Sequence, residues 1–256
     1  METADQNTGF NPESFEILAH LEADNFWFRS RNRLILWALG RYFPSCQSML
    51  EVGCGTGFVL SAIEKRFPSW NLFGTELYDV GLQFAAKRLT KAQLYQMDAR
   101  HLQFKNEFDV IGSFDVVEHI EEDEQVLSQF HHALKKDGGL ILTVPQHPFL
   151  WTKYDEYACH ARRYRSTELR QKLEKAGFQI TLITSFVSLL FPLMILSRLK
   201  KKSSVTESDV LNELRLPIWL NRVLEAILLF EQMLIRWGIH FPFGGSLLVV
   251  ARKIEK

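Results

Sequence analysis

The sequence predicts an α/β fold built on a mostly parallel sheet with helices on both faces. Three observations predict it. Short apolar runs alternate with stretches of helical periodicity between residues 48 and 176, the pattern of parallel strands joined by crossover helices. The first of those runs ends in a triple-glycine turn, Gly53-Cys54-Gly55-Thr56-Gly57. The chain is also large enough: of its 256 residues 46% are hydrophobic and 20 are Phe, so a sizeable core can be buried.

Residues 1–12 are rich in Asn, Gln, Gly and Pro and read as loose chain. From residue 12 to residue 43, Phe15, Leu18, Ala19 and then Leu34, Ile35, Ala38, Leu39 recur at helical spacing. They predict two helices joined near Asn25-Phe26-Trp27-Phe28. Strands are expected at 48–52, 72–76, 93–97, 108–114 and 140–144, with helices at 58–66, 79–89, 123–134 and 166–176. Asp137-Gly138-Gly139 reads as the turn that opens the fifth strand, and Pro145 as its stop. Ser166 or Thr167 is the expected cap of the last of these helices, and Gly177 its C-terminal stop.

The last third breaks the rhythm. Residues 180–196 are almost wholly apolar, and Arg198, Lys200, Lys201 and Lys202 follow, then a polar linker at 203–209. Residues 216–237 form a strongly hydrophobic helical stretch in which Asn221, Arg222, Glu225, Gln232 and Arg236 share one narrow arc. Three readings of this region stay open: a buried helix pair, an element lying on a membrane surface, or a transmembrane span. Glu225 and Glu231 count against the span, because carboxylates are costly in hydrocarbon. Gly244-Gly245 then leads into an apolar strand at 246–251.

Charge is balanced, with 30 Lys and Arg against 30 Asp and Glu, so no nucleic-acid partner is expected. Cys46, Cys54 and Cys159 are odd in number and form no C-x-x-C pair. They predict reduced thiols in a cytoplasmic protein, and no metal-ligand cluster is visible. The polar, acidic N-terminus has neither a basic region nor an apolar core, so no signal peptide is expected.

The strand-turn-helix at 48–66 carries the clearest chemistry. Glycine permits positive φ and close approach of a ligand to the backbone, and the start of the following helix offers free N–H groups. Gly53, Gly55 and Gly57 are spaced G-x-G-x-G, whereas a dinucleotide turn is G-x-G-x-x-G, and no Lys-Ser/Thr pair follows as in a P-loop.

Leu50-Glu51-Val52-Gly53-Cys54-Gly55-Thr56-Gly57 resembles the first motif of class I methyltransferases dependent on S-adenosylmethionine (AdoMet), especially the group of small-molecule and ubiquinone-type O-methyltransferases. The resemblance spans about residues 49–144. It implies that the backbone of Gly53, Cys54, Gly55, Thr56 and Gly57 meets the amino-acid part of AdoMet, with Glu51 beside it. Glu76, followed by Leu77, matches the carboxylate that accepts both ribose hydroxyls. Asp98 matches the acid placed against the adenine amino group, with the Ala99 N–H beside it. Phe114-Asp115-Val116-Val117-Glu118-His119-Ile120 matches the loop after the fourth strand, whose Phe114 and Asp115 face the cofactor. The family further implies a Rossmann-like seven-stranded sheet with a sixth strand at 180–184 and an antiparallel last strand at 246–251. That arrangement divides one domain into a helical lid (1–45), an AdoMet-binding core (46–184), a hydrophobic helical insertion (185–243) and a final strand (244–256).

Methyl transfer from a sulfonium is an in-line displacement, so the protein positions the nucleophile and excludes water. A hydroxyl nucleophile also needs a base. His119 is the first candidate, because imidazole titrates near neutrality. The loop after the fifth strand supplies a second, His160, with His147, Tyr157, Arg163 and Tyr164 as substrate-binding candidates. Trp27 and Arg31 are the lid's candidates, an aromatic and a cation able to lie over the bound molecules. The expected acceptor is a small or lipid-like molecule, methylated at oxygen, and residues 185–243 are the segment that would make any peripheral membrane contact. A non-catalytic AdoMet-binding or membrane-scaffold protein, and an NAD-linked oxidoreductase, are the alternatives.

Overall fold

The structure, a computed structural model, describes Pro12, residues 14–199 and residues 216–255. The basic residues Lys200, Lys201 and Lys202 and the linker at 203–209 lie outside the described residues. Seven strands form one sheet in the order β3-β2-β1-β4-β5-β7-β6. Strand β1 (Ser48–Val52) is central and pairs in parallel with β2 (Asn71–Glu76) and β4 (Phe108–Phe114). Strand β3 (Gln93–Gln96) extends the sheet beyond β2, and β5 (Leu134–Pro145) extends it beyond β4. Strand β7 (Ser246–Lys253) runs antiparallel between β5 and β6 (Phe178–Phe186).

Alternation along the strands divides the core in two. Met49 and Val110 face one side with Leu248 and Val250, while Leu50 and Ile111 face the other with Leu247 and Val249. The first side is covered by α2 (Phe26–Tyr42), α3 (Phe58–Arg66) and α4 (Asp79–Arg88). The second is covered by α5 (Asp123–Ala133) and α7 (Ser166–Lys175), through Val126, Leu127, Phe130, Leu169 and Leu173. Between them in the chain lies the one-turn helix α6 (Lys153–Tyr157). Helix α1 (Ser14–Leu21) precedes α2, and Asn25 caps α2 by accepting from the Trp27 N–H at 2.9 Å.

Four expectations change. The Asp137-Gly138-Gly139 turn lies inside β5, where Asp137 takes φ 57° and the pairing register with β4 shifts. The strand bulges there instead of starting. Gly139 beside it makes room for Phe43, whose ring a Cβ would meet at 1.8 Å. Helix α7 starts at Ser166 as expected, but its N-cap is Arg165 with no side-chain cap bond, so neither Ser166 nor Thr167 caps it. The apolar run at 180–196 is broken into the end of β6 and a helix α8 (Phe191–Leu199). Val187 sits at φ 59°, and Glu231 accepts from the N–H groups of Val187, Ser188 and Leu189 at 2.6, 2.6 and 2.7 Å. That glutamate comes from α9 (Ile218–Arg236), which also buries Leu224, Leu228 and Ile235 in the first core. Finally, no helix of the described residues is long and apolar enough to cross a membrane, which removes the transmembrane reading.

Candidate active site

The glycine turn leaves β1 beside β4, where the strand order reverses, and open α/β sheets bind ligands at that edge. Gly53, Gly55 and Gly57 all take positive φ, at 73°, 53° and 74°. At Gly53 a Cβ would fall 2.5 Å from Val116, and at Gly57 2.9 Å from the Ala85 backbone, so both are required by packing. Gly55 has only Phe15 nearby, at 3.7 Å, and its backbone faces a cavity. The Gly53 and Cys54 N–H groups both donate to Thr75 O at 2.8 Å, tying the turn to β2.

The cavity encloses about 560 Å³. Its wall includes Glu51, Gly53, Cys54, Gly55 and Thr56 from the turn, Glu76 and Leu77 after β2, and Asp98 and Ala99 after β3. Phe114, Asp115 and His119 come from the β4 loop, His160 from the loop after β5, and Trp27 and Arg31 from α2. Five of the named residues do not line this cavity. Gly57 is turned onto Ala85. Tyr164 is fully buried and donates to Asp123 at 2.8 Å, so burial and that carboxylate push its phenol up. Arg163 donates to Asp155 at 2.7 Å and to Gln146 O at 3.2 Å. His147 stacks among Phe149, Phe191 and Phe243, where burial and Arg163 lower its pKa. Tyr157 is half-buried at the end of α6.

Acidic groups dominate the wall. Glu76 accepts from the N–H groups of Gly55, Leu77 and Tyr78 at 3.0, 2.8 and 3.2 Å. Burial still raises its pKa against those bonds. Glu51 is 2% exposed, one of its oxygens has no hydrogen-bond partner, and burial holds it well above the carboxylate range. Asp98 is held low, burial being outweighed by Arg100, whose backbone N–H and guanidinium both bond it. Arg31 pairs with Asp115 and lies 4.7 Å from the Trp27 ring. An orphaned carboxyl beside the turn can ionise against a ligand carrying an ammonium and a sulfonium, and disfavours a pyrophosphate.

At the other end of the cavity two loops meet. His119 and His160 pack edge to face at 4.7 Å, and Ala161 N–H donates to Glu118 O at 2.7 Å. The His160 Nδ1 lies 2.9 Å from Asp155 Oδ1. Burial pushes Asp155 up, but His160 and Arg163 outweigh it and hold it at about 2. An ionised Asp155 fixes the proton on Nδ1, leaving Nε2 as the basic nitrogen. Glu118 is fully buried, neither oxygen meets a partner outside its own residue, and burial followed by Asp115 raises it well above the carboxylate range. One ligand atom each of Glu118, His119 and His160 lie within 4.8 Å of one another. The fold thus assembles a potential cation-ligating trio that the sequence did not show.

A family model described as a methyltransferase domain matches residues 19–183, the span that carries this cavity. The chain belongs to the AdoMet-dependent methyltransferases. Over 103 residues the methyltransferase is 31% identical to malonyl-[acyl-carrier protein] O-methyltransferase of Haemophilus influenzae, a match covering 40% of each chain. Over 175 residues it is 25% identical to a probable S-adenosylmethionine-dependent methyltransferase of Mycolicibacterium smegmatis, covering 62% of each. The matches thus span less than two thirds of these relatives. The structure of Haemonchus contortus phosphoethanolamine N-methyltransferase 2 with S-adenosyl-L-methionine shares the fold, with a TM-score of 0.63 at 18% identity. That alignment covers 96% of this chain and 58% of the other.

Two site features of the methyltransferase escaped the sequence. Glu22, in the link between α1 and α2, is buried against the turn. It accepts from Thr56 Oγ1 at 2.8 and 2.7 Å and from Arg88 at 2.6 Å. Asp155 was visible only as one polar residue in a polar loop. Its N-terminal capping box with Thr152 is the local signal that could have marked it.

Proposed function

We propose that this methyltransferase transfers a methyl group to an oxygen of a small or lipid-like acceptor, with His160 as the base that takes the acceptor's proton. The observation that carries the reading is the contact of His160 with an ionised Asp155 at the cavity wall. When bound, AdoMet supplies an electrophilic methyl on a sulfonium. The chain's own residues do the rest. The turn backbone and Glu51 receive the amino-acid end, Glu76 the ribose hydroxyls, and Asp98 with the Ala99 N–H the adenine edge. Trp27 and Phe28 close the cavity from α2, and His160 Nε2 accepts the proton while Asp155 stabilises the imidazolium. Ile120 and Ala158 lie on the same wall as the two histidines, which suits an acceptor with an apolar body.

Among the relatives, one is named for O-methylation of malonyl-[acyl-carrier protein] and one for N-methylation of phosphoethanolamine. The Glu118-His119 loop supports the oxygen-directed, ubiquinone-type branch, because an ordinary amine can lose its proton without a built base. Three free cysteines support a reducing, cytoplasmic setting.

The test is single-turnover transfer from methyl-labelled AdoMet to panels of phenols, carboxylates and amines. The reading expects label on a hydroxyl oxygen, where there is a proton to remove, and not on carboxylates, with a loss of about 10²-fold to 10⁴-fold in His160→Ala. A smaller loss, about tenfold or more, is expected in Asp155→Asn. AdoMet affinity should be unchanged in both. Label on nitrogen, or full rate in His160→Ala, would overturn it.

A further inference from the structure

Helix α9 carries apolar residues on two sides: Leu224, Leu228 and Ile235 pack on the core, and a second apolar face points outward. Three residues of its polar arc, Asn221, Glu225 and Gln232, bond α2, while Arg222 and Arg236 of the same arc stay exposed. The Asn221 Oδ1 accepts from Phe26 N–H at 2.7 Å, Glu225 pairs with Arg29 and Arg33, and the Gln232 amide donates to Ser30 O at 2.7 Å. Glu231 is buried on the N–H groups at the start of the α8 segment. The outward face carries Trp219, Val223 and Phe230 at helical spacing, with Trp237 just past the end. They are 68%, 49%, 52% and 72% exposed. Beside it, α8 leaves Leu193 and Leu196 56% and 59% exposed.

We propose that this outward face seats the enzyme on the surface of an anionic lipid bilayer. Charge selects that occupant. Both carboxylates of α9 are turned inward, while the exposed charged residues of the helix, Arg222 and Arg236, are cations. Trp at each end of an apolar stripe with a basic edge is the composition of an interfacial helix, lying in the headgroup layer without crossing it. The carboxylates that argue against hydrocarbon are satisfied by the protein and never meet lipid. Because the same helix grips α2, which carries Trp27 and Arg31 over the cavity, the docked enzyme holds its lid next to the bilayer. The surface stands independently of the acceptor's chemistry.

The experiment is co-sedimentation of the full chain with vesicles of pure phosphatidylcholine and with vesicles containing phosphatidylglycerol. We expect binding to the anionic vesicles that weakens with added salt. We also expect the pair Trp219→Glu and Phe230→Glu to weaken it by about tenfold or more, with AdoMet affinity and circular dichroism unchanged. Should that pair misfold, Arg222→Glu with Arg236→Glu serves in its place and should reduce anionic-vesicle binding selectively. Wild-type protein that ignores both vesicles would overturn the proposal. So would vesicle binding indifferent to the Arg pair, or a Trp219→Glu, Phe230→Glu protein that changes from dimer to monomer with no lipid binding at any stage. That last result would assign the face to a second copy of the chain.

Discussion

Glu118 is the residue whose chemistry depends most on its surroundings. It is sealed under the two histidines with its carboxyl unpartnered beyond its own residue, and burial raises its pKa far above the unfolded value. The native state therefore holds the Glu118 proton more tightly than the unfolded chain does. That contribution to stability is complete below about pH 4.3, the unfolded value, and is lost as pH rises towards the folded one. Glu118→Gln keeps the shape and removes the ionisation. It is expected to melt about 2–4 °C higher than wild type at pH 8, equivalent to about 1 kcal/mol, with the gap closing near pH 4.5. Differential scanning fluorimetry at the two pH values checks this, and an equal shift at both would contradict it. The sequence marked the residues in and around this site unevenly. The places of Gly53, Glu76 and Asp98 at the cavity were legible because each stands at or just past the C-terminal end of a strand, where a local motif marks it. The His160–Asp155 contact was not, because it depends on the loop after β5 folding back onto Glu118 through bonds such as Ala161 N–H to Glu118 O. Arg163 and Tyr164 were chosen for their chemistry, and the fold uses that chemistry to hold Asp155 and Asp123.

Among the elements, α9 ties α2 to the rest of the molecule. Glu225 neutralises Arg29 and Arg33 on α2 across 196 and 192 residues of sequence. Glu225→Ala leaves the two guanidiniums facing each other without their counter-ion. A charge-assisted bond of this kind, discounted for the partly exposed arginines, contributes about 1–2 kcal/mol. The expected outcome is a melting temperature lower by about 3–6 °C and an AdoMet dissociation constant raised about threefold or more, because α2 closes the cavity. A lowered melting temperature with unchanged affinity would show that α9 stabilises the fold without governing the lid. Periodicity did place Asn221, Glu225 and Gln232 on one arc. It could not say that the arc points inward, since its partners sit on a helix near the other end of the chain. The apolar run at 180–196 misled for a related reason: the break at Val187 is made by Glu231, more than forty residues away.

For the whole molecule, the seven-stranded order explains where the site is. Strands β1 and β4 diverge in connection at the centre of the sheet, and each loop at that edge contributes one part of the cavity. That architecture was legible, because strand, turn and helix alternate along the chain with nearly fixed spacing. The antiparallel direction of β7 came only from family likeness, since antiparallel pairing has no local signature in residues 246–251, and its place between β5 and β6 was not foreseen. The central claim is that the turn and its carboxylates hold AdoMet, and calorimetric titration with AdoMet and separately with NAD tests it most directly. The account predicts AdoMet binding at about micromolar strength with no response to NAD. It further predicts loss in Gly55→Arg, whose side chain would enter the cavity from a strained φ, and weakening by about tenfold in Glu76→Ala, about 1.4 kcal/mol. Folded protein that binds NAD, or that ignores AdoMet, would contradict it.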